Sequence, residues 1–334
     1  MATDERPTIA VIALGGTIAM TASADGPGAR PSLTAEDLLA AVPGLDAAGV
    51  TVQARTFRSV PGASLSFADL TELVRLIDSL SVDSVNSVDG VVVTQGTDTL
   101  EETAYFLDIA LGTLMPVVVT GAMRNPSLAG ADGPANLLAA VQAAAAPASR
   151  GLGTLVVMAD EVHAARRVRK THTTSIAAFT SPDTGPIGHL VEGRVRYLAH
   201  PGDRTWIGSG DLPANVALVT AAFGDDFPLL RPVRADLDGL VVGAFGVGHV
   251  PAETVDLLGE YAARIPVVLA SRTGAGAIHH ASYGFPGSEH DLQRHGLLNA
   301  GFLDPLKARI LLRQLLATGA SRDTIAATFA ALDG

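Results

Sequence analysis

Short runs of β-branched residues alternate with longer amphipathic stretches along this chain, and this alternation limits its possible folds more than any other feature. Continuous apolar runs are typical of strands buried on both faces of a parallel sheet, and amphipathic stretches are typical of connecting helices. In the N-terminal half we predict an open α/β sheet. Its predicted strands are residues 9–14, 90–94, 117–120 and 154–158, and its predicted helices are residues 34–42, 67–80, 99–111 and 134–145, with Thr34 and Thr99 as N-caps.

The alternation fails over residues 182–210, where Pro, Gly, Asp and His are frequent and only loops or an irregular ribbon are expected. Beyond this segment the pattern resumes with predicted strands 216–221, 239–244 and 266–270 and predicted helices 251–263, 305–318 and 322–332. A chain of 334 residues is also long enough for two cores. We therefore predict a larger N-terminal α/β domain at residues 1–185, with a mostly parallel sheet flanked by helices, a linker at 186–212 and a smaller C-terminal α/β domain at 213–334.

Composition and charge exclude several classes of function. Hydrophobic residues make up 48% of the chain and charged residues 17%, which is typical of a compact globular protein. The net charge of −11 opposes nucleic-acid binding, because phosphates must be neutralised by a basic surface. No apolar run reaches the roughly 18 to 20 residues that span a bilayer, and the acidic N-terminus does not resemble a signal peptide. With no cysteine, a reducing cytoplasm is allowed, and that is the expected location.

Three segments at the ends of predicted strands carry chemically useful side chains. Two glycines precede Thr17, the sequence Gln-Gly-Thr-Asp-Thr occupies residues 95–99, and Lys170 lies in a third polar segment. Each has an ordinary structural explanation: Gly-Gly-Thr is a common turn, Asp98 or Thr99 can cap a helix, and a lysine among basic residues is usually solvated. However, the carboxyl ends of parallel strands meet at one edge of a sheet, where ligands bind. We therefore expect the three segments to meet there.

Together these segments resemble the bacterial-type asparaginase and glutaminase family. The resemblance depends on Gly-Gly-Thr-Ile-Ala at residues 15–19 and on Gly-Thr-Asp-Thr-Leu-Glu-Glu-Thr-Ala-Tyr-Phe at residues 96–106. Supporting matches lie at residues 121–124, 131–137, 170–174 and 303–309, so the similarity runs in order along nearly the whole chain. It implies an amidohydrolase that converts L-asparagine to L-aspartate and ammonia through an acyl-enzyme, without a cofactor.

The resemblance also implies roles for individual residues. Thr17 would attack the amide carbon, while Thr97, Asp98 and Lys170 would form a second group of hydroxyl, carboxylate and amine. This agrees with the chemistry of threonine, whose hydroxyl is a poor nucleophile unless a neighbouring base or charge removes its proton. Asp98 would orient Lys170 and bind the α-ammonium group of the substrate. The backbone N–H of Thr97 would stabilise the oxyanion, and the carbonyl of Ala122 would accept the N–H of the substrate amide.

In the C-terminal part, Glu289 stands where the family has an acid that binds the substrate's ammonium group in the adjacent subunit. If this holds, the active sites are shared in a homodimer, and the usual assembly is a homotetramer; a solvent-exposed glutamate in a loop is the alternative. His249 occupies a position where many relatives have an asparagine near the substrate. It either supports substrate binding or is a plain loop histidine.

The chain departs from the family pattern at two loops. Residues 20–33 contain no tyrosine, although relatives supply one close to the nucleophile, and Gly28 aligns near that place. Relatives also bind the substrate's α-carboxylate and ammonium through a serine and a polar neighbour, where this chain has Gly62 and Ala63; a shift of two residues would bring Ser64 there. We therefore expect a millimolar or higher Michaelis constant for asparagine, or a preference for another amide.

Other kinds of chemistry lack support in the sequence. No His-Glu-x-x-His or comparable ligand spacing is present, and the glycines at 243, 246 and 248 form only a fragment of a dinucleotide-binding fingerprint. We therefore expect no metal and no cofactor. The alternatives are a glutaminase or another small-amide hydrolase, since one methylene changes the binding free energy by only about 1 to 3 kcal/mol, and a non-catalytic amino-acid sensor.

Overall fold

The computed structural model describes residues 6–22, 29–81 and 87–332 and divides the chain into two compact units, Met1–Trp206 and Ile207–Gly334. The strands of the first unit, in chain order, are β1 (Thr8–Ala13), β2 (Met20–Ala22), β3 (Ala29–Pro31), β4 (Thr51–Thr56), β5 (Gly90–Thr94), β6 (Val117–Thr120), β7 (Thr154–Met158), β8 (Glu161–Ala164), β9 (Arg169–Lys170), β10 (Phe179–Thr180), β11 (Gly188–Val191) and β12 (Arg194–Tyr197). Its helices are α1 (Ala35–Ala40), α2 (Phe67–Ser81), α3 (Leu100–Ala110) and α4 (Gly133–Ala145).

Within these described residues, eight strands form the main sheet of the first unit, in the order β12-β11-β8-β7-β6-β5-β1-β4. The five neighbouring strands β4, β1, β5, β6 and β7 are parallel, and β8, β11 and β12 add an antiparallel edge. Val11, Val92 and Val118 lie side by side on one face of the sheet and pack with residues of α1 and α4 in one buried cluster. Apart from the half-buried Thr8, every residue of β1, β5, β6 and β7 is buried, as the continuous β-branched runs predict.

The second unit contains a smaller sheet with parallel strands in the order β13 (Val216–Thr220), β14 (Gly239–Ala244), β15 (Val267–Ser271) and β16 (Leu298–Asn299). Its helices are α5 (Val255–Arg264), α6 (Glu289–Arg294), α7 (Pro305–Ala317) and α8 (Arg322–Ala331). Two α/β units, the larger with a mostly parallel sheet, confirm the predicted fold class. The predicted domain limits at 185 and 213 stay a prediction, although β11 and β12, which lie within the predicted linker, belong to the main sheet.

Helix caps show where local sequence rules succeed and fail. Thr34 caps α1, because its hydroxyl accepts from the backbone N–H of Asp37 while the Asp37 carboxylate accepts in return from Thr34. Thr99 precedes α3 as predicted, but its side chain does not cap that helix. Its hydroxyl instead donates to the carbonyl of Gly62 and accepts from the side-chain amide of Gln95. A long-range partner has replaced the local cap.

Candidate active site

The loop that carries Thr17 begins where β1 ends and is shaped by two glycines with positive φ angles, 99° at Gly15 and 85° at Gly16. A Cβ at Gly16 would overlap the backbone of Gly96, so only glycine permits this approach. Thr17 then starts the short 3-10 turn Thr17–Ala19, with its side chain half-buried. The nucleophile candidate therefore lies in a loop packed directly against the loop that carries Thr97.

The second loop follows β5 and places three polar groups in contact. The ammonium group of Lys170 donates to Oγ1 of Thr97 at 3.0 Å and to Oδ1 of Asp98 at 2.8 Å. The Thr97 side chain is buried, whereas the Asp98 side chain is 72% exposed and that of Lys170 is 14% exposed. The structure thus brings these three residues together, with a hydroxyl and an amine inside and a carboxylate open to solvent.

Lys170 reaches this loop from far along the chain. It lies in the two-residue strand β9, and its backbone N–H donates at 3.2 Å to the carboxylate of Glu101, a buried residue in the first turn of α3. In the sequence, Glu101 is only one residue of the motif at 96–106 and of the predicted helix 99–111. The Glu-Glu pair in the family motif was the available signal, but it does not reveal a backbone partner 69 residues away.

The Ala122 turn follows β6, and Ala122 itself is completely buried. The two peptide units beside it are fixed by side chains of the next segment: Asn136 donates to the carbonyl of Gly121 at 3.0 Å, and the backbone N–H of Met123 donates to Asp132 at 3.0 Å. The orientation of the Ala122 carbonyl is therefore set by its neighbours. Asp132 and Asn136 belong to the matched motif at residues 131–137, but their positioning role becomes visible only in three dimensions.

The loop expected to bind the α-carboxylate forms the 3-10 turn Gly62–Ser64. Gly62 is buried, and its carbonyl accepts from the Thr99 hydroxyl at 3.0 Å, which ties this loop to the Thr97 loop. The side chains of Ala63 and Ser64 are exposed. A polar side chain of this turn is thus available at Ser64. Gly28, which aligns with the missing tyrosine, lies outside the described residues.

In the second unit, Glu289 and His249 contact each other. Nε2 of His249 lies 3.2 Å from Oε2 of Glu289, and Oε1 of Glu289 accepts from the backbone N–H groups of Ser282 and Tyr283 at 2.7 and 2.8 Å. Burial works to raise the pKa of Glu289, but these hydrogen bonds to backbone N–H groups and to His249 outweigh it, so the pKa lies below its ordinary value of 4.5. Glu289 is fully buried, which contradicts the expectation of a solvent-exposed loop glutamate.

His249 is likewise held in place rather than free in a loop. The edge-to-ring arrangements with Tyr283 and Phe285 both have centroid distances of 5.0 Å, and the His249 side chain is 25% exposed. A role of His249 in substrate binding stays a prediction. Its packing and its contact with Glu289 make it a support for that carboxylate.

The described residues contain neither a metal-binding cluster nor a membrane-spanning helix. In residues 6–22, 29–81 and 87–332, no group of three or more His, Cys, Asp or Glu side chains is arranged to hold a metal ion. Among the helices that the structure describes, none combines the length and the apolar character needed to cross a bilayer. The absence of a metal and of a cofactor stays a prediction.

Comparison with known proteins places this geometry in context. Residues 8–202 match the family model described as "Asparaginase, N-terminal", and residues 215–329 match "Glutaminase/Asparaginase C-terminal domain". The chain is 39% identical to the probable L-asparaginase of Deinococcus radiodurans over 97% of both chains. It is 35% identical to L-asparaginase 2 of Escherichia coli, over 93% of this chain and 89% of that protein.

Among solved structures, the probable cytoplasmic L-asparaginase of Campylobacter jejuni superimposes with a TM-score of 0.86 at 28% identity. The match covers 97% of this chain and 99% of the other. Both units of the chain thus have their counterparts within one family of known proteins.

Proposed function

Because the chain belongs to the asparaginase family, we propose that it hydrolyses the side-chain amide of L-asparagine to L-aspartate and ammonia, with Thr17 as the nucleophile. The observation that carries the proposal is the position of Lys170, whose Nζ lies within hydrogen-bond distance of both Thr97 and Asp98. A buried hydroxyl bonded to an amine is a proton-transfer pair, and neither helix capping nor core packing requires it.

The reaction proceeds in two halves. Oγ1 of Thr17 attacks the amide carbon while its proton passes to the Thr97–Lys170 pair, and the carbonyl oxygen becomes an oxyanion that the backbone N–H of Thr97 stabilises. The C–N bond then breaks, and the leaving nitrogen takes up a proton and departs as ammonia. In the second half, water attacks the acyl-enzyme ester, the proton of the water returns to Oγ of Thr17, and aspartate is released.

Lys170 and Thr97 serve the proton transfers in both halves. A lysine can act as a base only in its unprotonated form, and a direct contact with the Thr97 hydroxyl lets protons pass between the two groups. The exposed carboxylate of Asp98 is available to the α-ammonium group of a substrate while it also holds Lys170. Ala122, on its fixed turn, offers its carbonyl to the N–H of the substrate amide.

The proposal also gives Glu289 a role in an assembly of two or more chains. Its carboxylate is held by two backbone N–H groups and has a pKa below its ordinary value, so it carries a fixed negative charge at neutral pH. In our proposal it serves the site of a second copy of the chain, with His249 as its support, so the active enzyme is a homodimer or homotetramer. We also propose a cytoplasmic location, in line with the name of the Campylobacter jejuni neighbour.

Glutamine is the second candidate substrate, and one observation favours it. The turn Gly62–Ser64 presents no side chain at Gly62 and only a methyl group at Ala63, so contacts to the α-carboxylate are fewer than the family pattern implies. A site with fewer contacts discriminates less strictly between amides that differ by one methylene.

Ammonia release tests the proposal. Purified protein should release ammonia from L-asparagine, while the matched Thr17→Ala protein should release none. L-glutamine and simple amides are measured in parallel to define the preferred substrate. If asparagine binds but no amide yields ammonia, the chain is an amino-acid sensor and the enzymatic proposal is wrong.

A further inference from the structure

The segment that carries Lys170 is too short to be held by its own hydrogen bonds. Among the strands that the structure describes, the two-residue β9 pairs with the two residues of β10 alone, where Phe179 lies opposite Lys170 and Thr180 opposite Arg169. An isolated pair of short strands is marginally stable. The precision with which Lys170 meets Thr97 must therefore come from anchors outside this small ribbon, of which the bond from the backbone N–H of Lys170 to Glu101 holds one strand and leaves the other to be fixed.

Both ends of the β9–β10 ribbon are anchored on strand β8 of the main sheet. At its entry, the backbone N–H of Val168 donates to the carbonyl of Ala164 at 3.1 Å. At its exit, Oγ of Ser181 lies 3.0 Å from Nδ1 of His163 in a contact that is buried on both sides. Ser181 lies two residues beyond Phe179, the partner of Lys170, so this bond fixes the strand on which Lys170 depends.

The groups around His163 favour one direction for its hydrogen bond with Ser181. Nε2 of His163 lies 3.3 Å from the carboxylate of Glu161, although the pair does not meet hydrogen-bond geometry, and His189 of β11 lies across from Glu161. Burial lowers the pKa of the His163 imidazole; Glu161 partly opposes this, and His189 adds to it. With the proton of a neutral ring on Nε2, Nδ1 is the acceptor for the Ser181 hydroxyl.

We propose that His163 and Ser181 are positioning residues for Lys170, which hold the β9–β10 ribbon so that the amine meets the Thr97 hydroxyl. This inference rests on the proposed catalytic role of Lys170. Neither residue touches Lys170 or the reacting atoms, and each acts through the ribbon. A displacement of a catalytic group by about 1 Å is enough to reduce a rate as much as a hundredfold. Even a small shift of the ribbon should therefore lower turnover.

The chain offers a matched control for the loss of a buried hydroxyl. Ser149 is completely buried in the same unit, and its hydroxyl bonds to the carbonyl of Ala143 and to the hydroxyl of Tyr197, with no link to the ribbon. Ser149→Ala and Ser181→Ala thus remove the same group from equally buried places. Comparison of the two separates a general loss of stability from a loss of position.

Steady-state kinetics gives the first test. Ser181→Ala should lower kcat about tenfold or more with KM changed less than about twofold, because the proton-transfer group moves while the substrate-binding groups stay. Ser149→Ala should keep kcat within about twofold of the unmodified protein at a similar loss of thermal stability. Equal kcat values for the two variants would overturn the proposal.

Substitution of His163 tests the other partner of the bond. In His163→Asn the side-chain amide keeps an acceptor near the position of Nδ1, so this variant should retain most of the turnover. His163→Leu keeps the bulk but removes the acceptor, and it should match the kcat loss of Ser181→Ala. If both His163 variants lose turnover equally, or neither loses it, the hydrogen bond is not what positions Lys170.

A readout independent of activity separates this inference from the proposed function. Amide hydrogen exchange, measured by mass spectrometry, should speed up selectively in the ribbon, residues 169–180, in Ser181→Ala and His163→Leu but not in Ser149→Ala. If the unmodified protein hydrolyses no amide, the proposed function fails, and exchange alone decides the anchoring. Unchanged ribbon exchange in Ser181→Ala would overturn the positioning role whatever the activity.

Discussion

Two polar clusters of this protein differ in how far their carboxylates are exposed and hydrogen-bonded. In the first unit, Lys170 joins a buried hydroxyl at Thr97 to the largely exposed carboxylate of Asp98. In the second unit, both oxygens of the Glu289 carboxylate are occupied, one by two backbone N–H groups and the other by His249. The first cluster combines a buried hydroxyl, an amine and an open acid, and the second holds a buried carboxylate whose oxygens are already hydrogen-bonded. The comparison separates a cluster that is open to a ligand from one that is closed within its own chain.

The largest effects are expected where hydroxyls take part in the reaction. Thr17→Ala and Thr97→Val should each reduce kcat by about a thousandfold or more, because no neighbouring group replaces a missing nucleophile or proton carrier. The double variant should be scarcely worse than either single one, because residues that act as a unit are not additive. Rates of ammonia release, with circular dichroism as a control for folding, check this expectation. Substantial turnover by Thr17→Ala would remove Thr17 from its assigned role.

Substitutions of Lys170 distinguish a role in proton transfer from a purely electrostatic role. Lys170→Met should abolish turnover at every accessible pH, since it removes the amine altogether. Lys170→Arg keeps a cation but should rescue little, because a guanidinium stays protonated and cannot act as a base. The pH dependence of kcat for both variants is the measurement. An arginine variant with near-normal kcat would show that the first cluster, like the second, supplies only a fixed charge.

Glu289 should affect binding across subunits rather than chemistry. Loss of a hydrogen bond to a charged group weakens binding by about 1.5 to 3 kcal/mol, so Glu289→Ala should raise KM roughly ten- to a hundredfold. If the sites are shared, mixing Thr17→Ala with Glu289→Ala subunits should restore part of the activity at low substrate concentration, and dilution should lower specific activity. Failure to recover activity after verified subunit exchange would mean that each chain uses its own Glu289.

The turn Gly62–Ser64 should set the apparent affinity for asparagine. We expect a millimolar or higher Michaelis constant, because Gly62 and Ala63 lack the polar groups that relatives provide. If Ser64 has taken over that role, Ser64→Ala should raise KM about tenfold with kcat unchanged, which corresponds to about 1.4 kcal/mol. Steady-state kinetics of both proteins distinguishes the two cases. Micromolar saturation of the unmodified protein would show that the missing contacts are replaced elsewhere.

The smallest effect concerns the stability of the second cluster. Because the pKa of Glu289 is lowered on folding, its ionised form stabilises the folded state fully above its ordinary pKa of 4.5. This contribution is lost as the pH falls from 4.5 through the lowered value. The difference in unfolding free energy between the unmodified protein and Glu289→Gln should therefore shrink in this window, as urea unfolding at several pH values would show. A difference independent of pH would mean that folding leaves the pKa of Glu289 unchanged.

The sequence predicted the buried strands and the longer helices, and it missed elements that are short or largely polar. Buried strands such as β5 and β7 have continuous apolar runs, which few other structures produce. The edge strand β4, with only partial burial on alternate residues, was missed because its sequence Thr-Val-Gln-Ala-Arg-Thr is largely polar. Helix α6, with six residues, is too short to show a helical period.

What the sequence determined by itself is the central buried strands, the longer helices and the loops at the ends of those strands. Parallel strands end at one edge of a sheet, so the loop of Thr17 and the loop of Thr97 had to meet there. Only the tertiary structure decided which side chains pair across long separations. Lys170 joins Thr97 across 73 residues, and His249 joins Glu289 across 40. Periodicity records only which face of its own element a residue occupies, whereas these pairings depend on how distant segments pack.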